Sequence, residues 1–192
     1  MEIKTSNENS YGILLSGGLD SAVLLYLLVK SNPSINLQAF TIPKSDGAML
    51  YANPVIHHIN KKFKLSLSDT ISVGDPTVYH RLQSTTAVKD VFEKYSVDFL
   101  FVAINQNPPE LTDLPNAPKR TTKSTHPKVI FPFINMLKDE ILQILYDEKQ
   151  EDLIDITHTC TEQTHNRCNV CWQCCERIWA FKQLNKIDTG IL

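Results

Sequence analysis

An α/β fold with a doubly wound, mostly parallel sheet is predicted by three observations. Short apolar runs alternate along the chain with segments whose apolar residues recur at helical spacing. The run Val97 to Asn105, VDFLFVAIN, is almost continuously apolar, as strands covered on both faces of a parallel sheet are. A turn of small residues, Ser16 to Asp20, joins the first apolar run directly to the first helical one.

The elements follow in order. Ile13, Leu14 and Leu15 read as a short buried strand. Ser21 to Lys30 reads as a helix, apolar at Val23, Leu24, Leu27 and Leu28, and Asn32-Pro33 ends it. Leu37 to Ile42 is a second strand and Pro43 to Asp46 a loop. NPVIHHINKKF is helical, with Pro54 near its first turn. A third strand lies within LSLSDTISVG. STTAVKDVFEKY forms a helix with Ser84 or Thr85 as its cap, and Val97 to Asn105 the next strand. Asn107 to Lys128, rich in Pro, Thr and Lys, is a long loop. VIFPFI is a short strand, and NMLKDEILQILYDEK a helix with Met136, Leu137, Ile141 and Leu145 on one face. The expected organisation is a nucleotide-binding α/β domain over 1–150 and a helical, metal-binding segment over 151–192 packed on it.

Composition bounds the function. A chain of 192 residues, 42% hydrophobic and 21% charged, supports one ordinary globular core. A net charge of −2 argues against a generally basic nucleic-acid binder. MEIKTSNENS lacks the apolar run of a signal peptide, and no stretch approaches the roughly 20 apolar residues that cross a bilayer. A cytoplasmic protein without membrane association is expected, in a compartment where thiols stay reduced.

The turn SGGLDS, Ser16 to Ser21, has the composition of a phosphate cradle. Gly17 and Gly18 permit close backbone approach and positive φ. The helix that follows offers free N–H groups and the positive end of its dipole. Ser16 and Ser21 add hydroxyls, and Asp20 is a hard oxygen ligand for Mg²⁺ bridging the phosphates. The turn lacks the GK[ST] ending of a Walker A loop and is not GxGxxG. It resembles the PP-motif, SGGxDS, of the PP-loop ATP pyrophosphatases. That resemblance implies a Rossmann-like, adenine nucleotide alpha hydrolase-like fold that cleaves ATP between the α and β phosphates and adenylates a carbonyl or carboxylate oxygen. Carried onto this chain, the ATP-binding stretch is Leu15, Ser16, Gly17, Gly18, Leu19, Asp20, Ser21, Ala22, Val23, Leu24 and Leu25, with Ser16, Asp20 and Ser21 nearest the chemistry.

All five cysteines lie between His158 and Phe181. The spacing Cys160-x7-Cys168-x2-Cys171-x2-Cys174 suits a tetrahedral Zn²⁺ site closed by four thiolates, hence structural. A [4Fe–4S] cluster and a redox CxxC are the rival readings. Cys175, adjacent to Cys174, is an alternative fourth ligand. His158 and His165 are alternative nitrogen donors, otherwise solvated loop residues. Trp172 and Trp179 are expected to pack the segment, and Arg177 to serve it structurally.

The two motifs in this order resemble the QueC family, the 7-cyano-7-deazaguanine synthases. That family also carries an Arg three residues past its last cysteine, here Arg177, and then an aromatic near a GF or AF pair, here Ala180-Phe181; FPFINMLKDEIL is similar to its strand-to-helix segment. The resemblance implies a ligase of queuosine biosynthesis. It would use ATP and ammonia to convert the carboxylate of a 7-deazapurine to an amide and then to the nitrile preQ0, and the family tends to dimerise. The chain departs from the family between the motifs. IPKSDGAMLYANPVIHHINKKF replaces a YGQ-x-H-x-x-E segment, and NQNPPELTDLPNAPKR replaces an aromatic and acidic one. Other readings are a different PP-loop enzyme, such as a tRNA thiolase or an amidotransferase, and a non-catalytic nucleotide-sensing zinc module. Asn105 and Gln106, at the end of the fourth strand, are candidates to face the substrate. Asp98 reads as a turn residue, and Lys119, Arg120 and Lys123 as a solvated basic patch.

Overall fold

Alternation along the strands sorts the side chains into two cores, one on each face of the sheet. The computed structural model describes residues 1–44, 47–114, 116–120 and 126–190, the side chains at 48, 80 and 81 excepted. Five strands, β1 (Ser10–Leu14), β2 (Asn36–Thr41), β3 (Ile71–Ser72), β4 (Phe99–Val102) and β5 (Val129–Ile130), lie in the order β3-β2-β1-β4-β5. Every pairing is parallel. Tyr11, Ile13, Leu15, Ala39 and Phe101 point to the larger core. Leu14, Phe40 and Leu100, one residue out of phase, point to the smaller.

Helix α1 (Leu19–Ser31) is buried on nearly every side, from Leu19 through Val29 with only Asp20 less covered, because the sheet lies under it and further helices over it. Helix α2 (Ala52–Phe63) joins the larger core through Val55, Ile56 and Ile59. Helix α3 (His80–Lys94) covers the opposite face with Ala87, Val88 and Val91. Helices α4 (Lys138–Asp147), α5 (Asp152–Asp155) and α6 (Trp172–Gln183) complete the larger core: α4 packs on α1, and α6 on α4. Leu153, Ile154, Ala180 and Phe181 thus share one apolar cluster with α1 and β1.

Several boundaries differ from the sequence expectation. Helix α3 starts at His80, not at Ser84 or Thr85, and its N-cap position is Tyr79. The Thr86 hydroxyl bonds back to the Gln83 carbonyl, which lets a hydroxyl residue sit inside the helix. β4 holds four residues rather than nine, because the Ile104 N–H turns back onto the Val102 carbonyl (3.0 Å) and ends the ladder. Met136 and Leu137 precede α4. Tight turns from Phe131 to Met136 use up that stretch, and Leu137 becomes the N-cap residue, its N–H donating to Glu140 Oε2 at 2.7 Å. The long loop includes a 3₁₀ turn at Pro109–Leu111, and Asp46 and Lys123 lie outside the described residues. Among the described residues, no helix is long and apolar enough to cross a membrane.

Candidate active site and metal centre

β1 has β2 and β3 on one side and β4 and β5 on the other, so the chain reverses its direction of winding at β1. Ligands of open α/β sheets bind at such a switch point, outside the carboxyl ends of the strands. SGGLDS occupies that place. Its shape comes from its own hydroxyls. Ser16 N–H donates to Ser21 Oγ (3.3 Å), Gly18 N–H to Ser16 Oγ (3.2 Å), and Ser21 O–H to the Gly18 carbonyl (3.0 Å). Ser16 and Ser21 therefore brace the loop. The first-turn N–H groups of α1 have no intrahelical acceptor and face the open end.

The two glycines differ, contrary to the equal expectation for them. Gly17 has φ +77°, and a Cβ there would lie 2.6 Å from the Tyr51 carbonyl carbon. Gly18 has φ −82° and serves as the N-cap of α1. Of the stretch Leu15 to Leu25, Leu15, Leu19, Ala22, Val23, Leu24 and Leu25 have at most 1% exposure and belong to the core, so their side chains are not open to a ligand.

Asp20 is the exception on this helix. Its Oδ2 accepts from Lys138 Nζ at 2.9 Å, while its Oδ1, though buried, has no hydrogen-bond partner. Lys138, the first residue of α4, also reaches Glu176 Oε2 at 3.0 Å. Glu176 Oε1 in turn accepts from Arg120 Nη1 (2.8 Å) and Asn105 Nδ2 (3.1 Å). Arg120 is pinned further by the carbonyls of Asn105 (2.9 Å) and Gln106 (3.2 Å) and by the Asn105 side chain. The result is an alternating row, Asp20⁻, Lys138⁺, Glu176⁻, Arg120⁺, drawn from α1, α4, α6 and the segment after β4. Burial pulls the Lys138 pKa down, but the carboxylates of Asp20 and Glu176 outweigh it and the net shift is upward. Burial pushes Glu176 up, and Lys138 and Arg120 bring it below the usual carboxylate range. Both groups are charged at neutral pH.

The second cluster forms where the chain doubles back before α6. The Sγ atoms of Cys160, Cys168, Cys171 and Cys174 all lie within 4.8 Å of one another, and those of Cys168 and Cys174 are 4.0 Å apart. Four thiolates about 2.3 Å from a single tetrahedral ion would be about 3.8 Å apart, so the set fits one ion. A four-iron cluster puts each thiolate on a different iron and spreads the sulfurs further. Asn169 sits in the left-handed region (φ 58°), giving the tight turn between Cys168 and Cys171. Backbone N–H groups point at the sulfurs, Cys168 N–H at Cys160 Sγ (3.5 Å) and Cys171 N–H at Cys168 Sγ (3.2 Å). Burial pushes the Cys171 thiol up, but bonds from Thr161 and Cys174 outweigh it and bring it to about 7. Cys175 lies outside the group, its Sγ turned to the Val170 carbonyl at 3.7 Å.

His158 is not the solvated loop residue the sequence suggested. It has 2% exposure, its ring stacks on Tyr51 with centroids 4.5 Å apart, and its Nε2 meets the Gln163 carbonyl at 2.8 Å. Its backbone N–H donates to the Gly17 carbonyl (3.0 Å), which ties the cysteine segment directly to the SGGLDS loop. Tyr51 completes the joint by donating its hydroxyl to the Thr164 carbonyl (2.9 Å). His165 is exposed and outside the cysteine group.

No protein family's model matches the chain, and no curated protein matches it. Solved structures do. The NMN synthetase of Francisella tularensis superposes with a TM-score of 0.51 at 15% identity, covering 93% of this chain and 78% of that one. The fold is PP-loop-like. The U34-tRNA thiolase NcsA of Methanococcus maripaludis, solved with its [4Fe-4S] cluster, gives a TM-score of 0.46 at 17% identity, covering 76% of this chain and 58% of that one. The chain thus spans less than two thirds of the thiolase's length, and at these identities the likeness is one of fold.

The remaining expectations sort readily. Arg177 has no exposure and is held by Asp188, Thr157 and the Ile154 carbonyl, a structural placement. Trp172 is buried and Trp179 packs on the larger core. Asp98 binds the Ser10 N–H and hydroxyl, joining the starts of β4 and β1. Gln106 is exposed, whereas Asn105 is buried in the charged row. Lys119 is exposed, but Arg120 belongs to the row rather than to a solvated patch. Lys138, Glu176 and Tyr51 were missed by the sequence reading. The one available signal was a lysine and a glutamate in segments that otherwise read as amphipathic helix.

Proposed function

We propose that the protein is an ATP-dependent ligase of the 7-cyano-7-deazaguanine synthase type, adenylating a carboxylate and passing it to ammonia. The observation that carries this reading is the SGGLDS loop at the sheet's switch point, with the unpartnered Oδ1 of Asp20 beside it. The Gly17 backbone and the first-turn amides of α1 would hold the phosphates. Asp20 would hold Mg²⁺, which supplies charge neutralisation on the phosphates when bound. The carboxylate oxygen attacks the α-phosphorus and pyrophosphate leaves. Ammonia attacks the acyl carbon and AMP leaves, giving an amide; a second round of activation with loss of AMP gives the nitrile. The cysteine group would hold Zn²⁺ as a structural ion, all four positions being thiolates.

The test is to supply 7-carboxy-7-deazaguanine, ammonia and Mg·ATP. AMP and pyrophosphate release with formation of preQ0 is the expected result. AMP release with a different acid alone would sink the deazapurine assignment and keep the ligase class. Binding to tRNA at moderate salt with no AMP from any free acid would instead favour a thiolase-like enzyme, which a net charge of −2 and a single closed cysteine group disfavour.

A further inference from the structure

Glu176 is a carboxylate with 1% exposure that no step above employs. It lies two residues beyond Cys174 on α6, and its oxygens are divided between two cations from other elements. Lys138 opens α4 and lies against Asp20 of the loop, and Arg120 comes from the segment after β4 and lies against Asn105. If Asp20 commits an oxygen to a cation beside the phosphates, its hold on Lys138 weakens. Glu176 is then the remaining anchor, and a buried ammonium without one is costly.

We infer that Glu176 is a positioning residue that couples the cysteine cluster to the SGGLDS loop. Helix α6, held at Cys171 and Cys174, carries the carboxylate that keeps Lys138 against Asp20 and Arg120 against Asn105. The His158 N–H to Gly17 carbonyl bond is a second tether between the same two segments. Metal occupancy of the cluster thereby sets nucleotide affinity without any cysteine approaching the nucleotide. The inference rests on the reading of SGGLDS as a nucleotide site.

The experiment compares Mg·ATP affinity, by calorimetry, for the metal-loaded chain and for Glu176→Gln, Lys138→Gln and the double variant, with metal content measured on each. Glu176→Gln is expected to keep its metal and helical signal, to bind Mg·ATP at least tenfold more weakly, and to cause no further loss in the Lys138→Gln background. Equal affinity in Glu176→Gln, or losses that multiply in the double variant, would overturn the inference. Hydrogen exchange on the unmodified chain decides independently, and covers a variant that fails to fold. Chelation of the metal should speed exchange at residues 16–21 as well as at 158–175; acceleration confined to 158–175 would overturn it. Failure of the unmodified chain to bind Mg·ATP would overturn the nucleotide reading instead, and the exchange comparison would still test the coupling.

Discussion

Gly17 and Gly18 stand side by side in the motif but answer to different constraints. Alanine at Gly17 would have to adopt a left-handed conformation costing roughly 1–2 kcal/mol, and would also press on the Tyr51 backbone. Gly17→Ala should therefore lower the melting temperature and impair nucleotide binding, whereas Gly18→Ala, at φ −82° with its nearest non-neighbouring atom 3.3 Å from the new Cβ, should lower the melting temperature by less. Equal melting of the two variants would contradict this geometry. Asp20→Asn keeps the shape of the side chain and removes its charge. It should abolish AMP release while circular dichroism stays unchanged, and AMP release at the parent's rate would refute a role in metal binding. A different carboxylate, Asp188, holds the end of the chain by accepting from Arg177 Nε and Nη2 and from Arg167. Burial pushes Asp188 up, but the two arginines outweigh it and hold it below the usual range. A depressed carboxylate stabilises the fold above its ordinary pKa of about 3.9 and loses that contribution as pH falls through the folded value. Asp188→Asn strands a fully buried guanidinium, a loss of about 3–5 kcal/mol, so its thermal melt at neutral pH should fall by roughly 10 °C and converge on the parent's in acid.

At the scale of elements, α6 depends on the cysteine group. Its N-cap residue is Cys171, with no side-chain capping bond, and Cys174 lies in its first turn. An ion bound there would do the work a cap does elsewhere, fixing where the helix starts and which way it points. Cys171→Ser should lower metal content and thermal stability together, read by elemental analysis and a melt on the same sample. Cys175→Ser, outside the group, should leave both unchanged. The elements were also where sequence reading did best and worst. The place of SGGLDS between β1 and α1 and the gathering of the four cysteines were legible because each is contiguous or nearly so and depends on local spacing. The charged row was not. Asp20, Arg120, Lys138 and Glu176 sit on four separate elements, and nothing in the local pattern distinguishes a buried Lys138 from a solvated one. His158 was misread for the same reason, since its burial comes from Tyr51, which lies far away in sequence.

For the whole molecule, the alternation of strands and helices predicted a parallel sheet covered on both faces, and the order β3-β2-β1-β4-β5 has that form. What alternation could not give is the lopsided covering, with α3 on one face and α1, α2, α4, α5 and α6 on the other. That depends on which side each connection takes, a tertiary choice without a local signature. The consequence for the site is that α4 packs on α1 and α6 on α4, which brings Lys138 to the SGGLDS loop and Glu176 to Lys138.

The Gly17–His158 bond joins two segments with most of the chain between them. The site is therefore built from two segments far apart in the sequence and is assembled late. On a ribosome the loop emerges first and waits roughly 10 s, at ordinary rates of synthesis, for the stretch that braces it. A chain arrested before the cysteines could pair its strands yet would lack the far wall of its cradle. Such closure by distant segments is slow to form, because loop entropy must be met before the contacts return it. Competence to hold nucleotide should thus appear as the last event of folding, after the sheet and in step with metal capture.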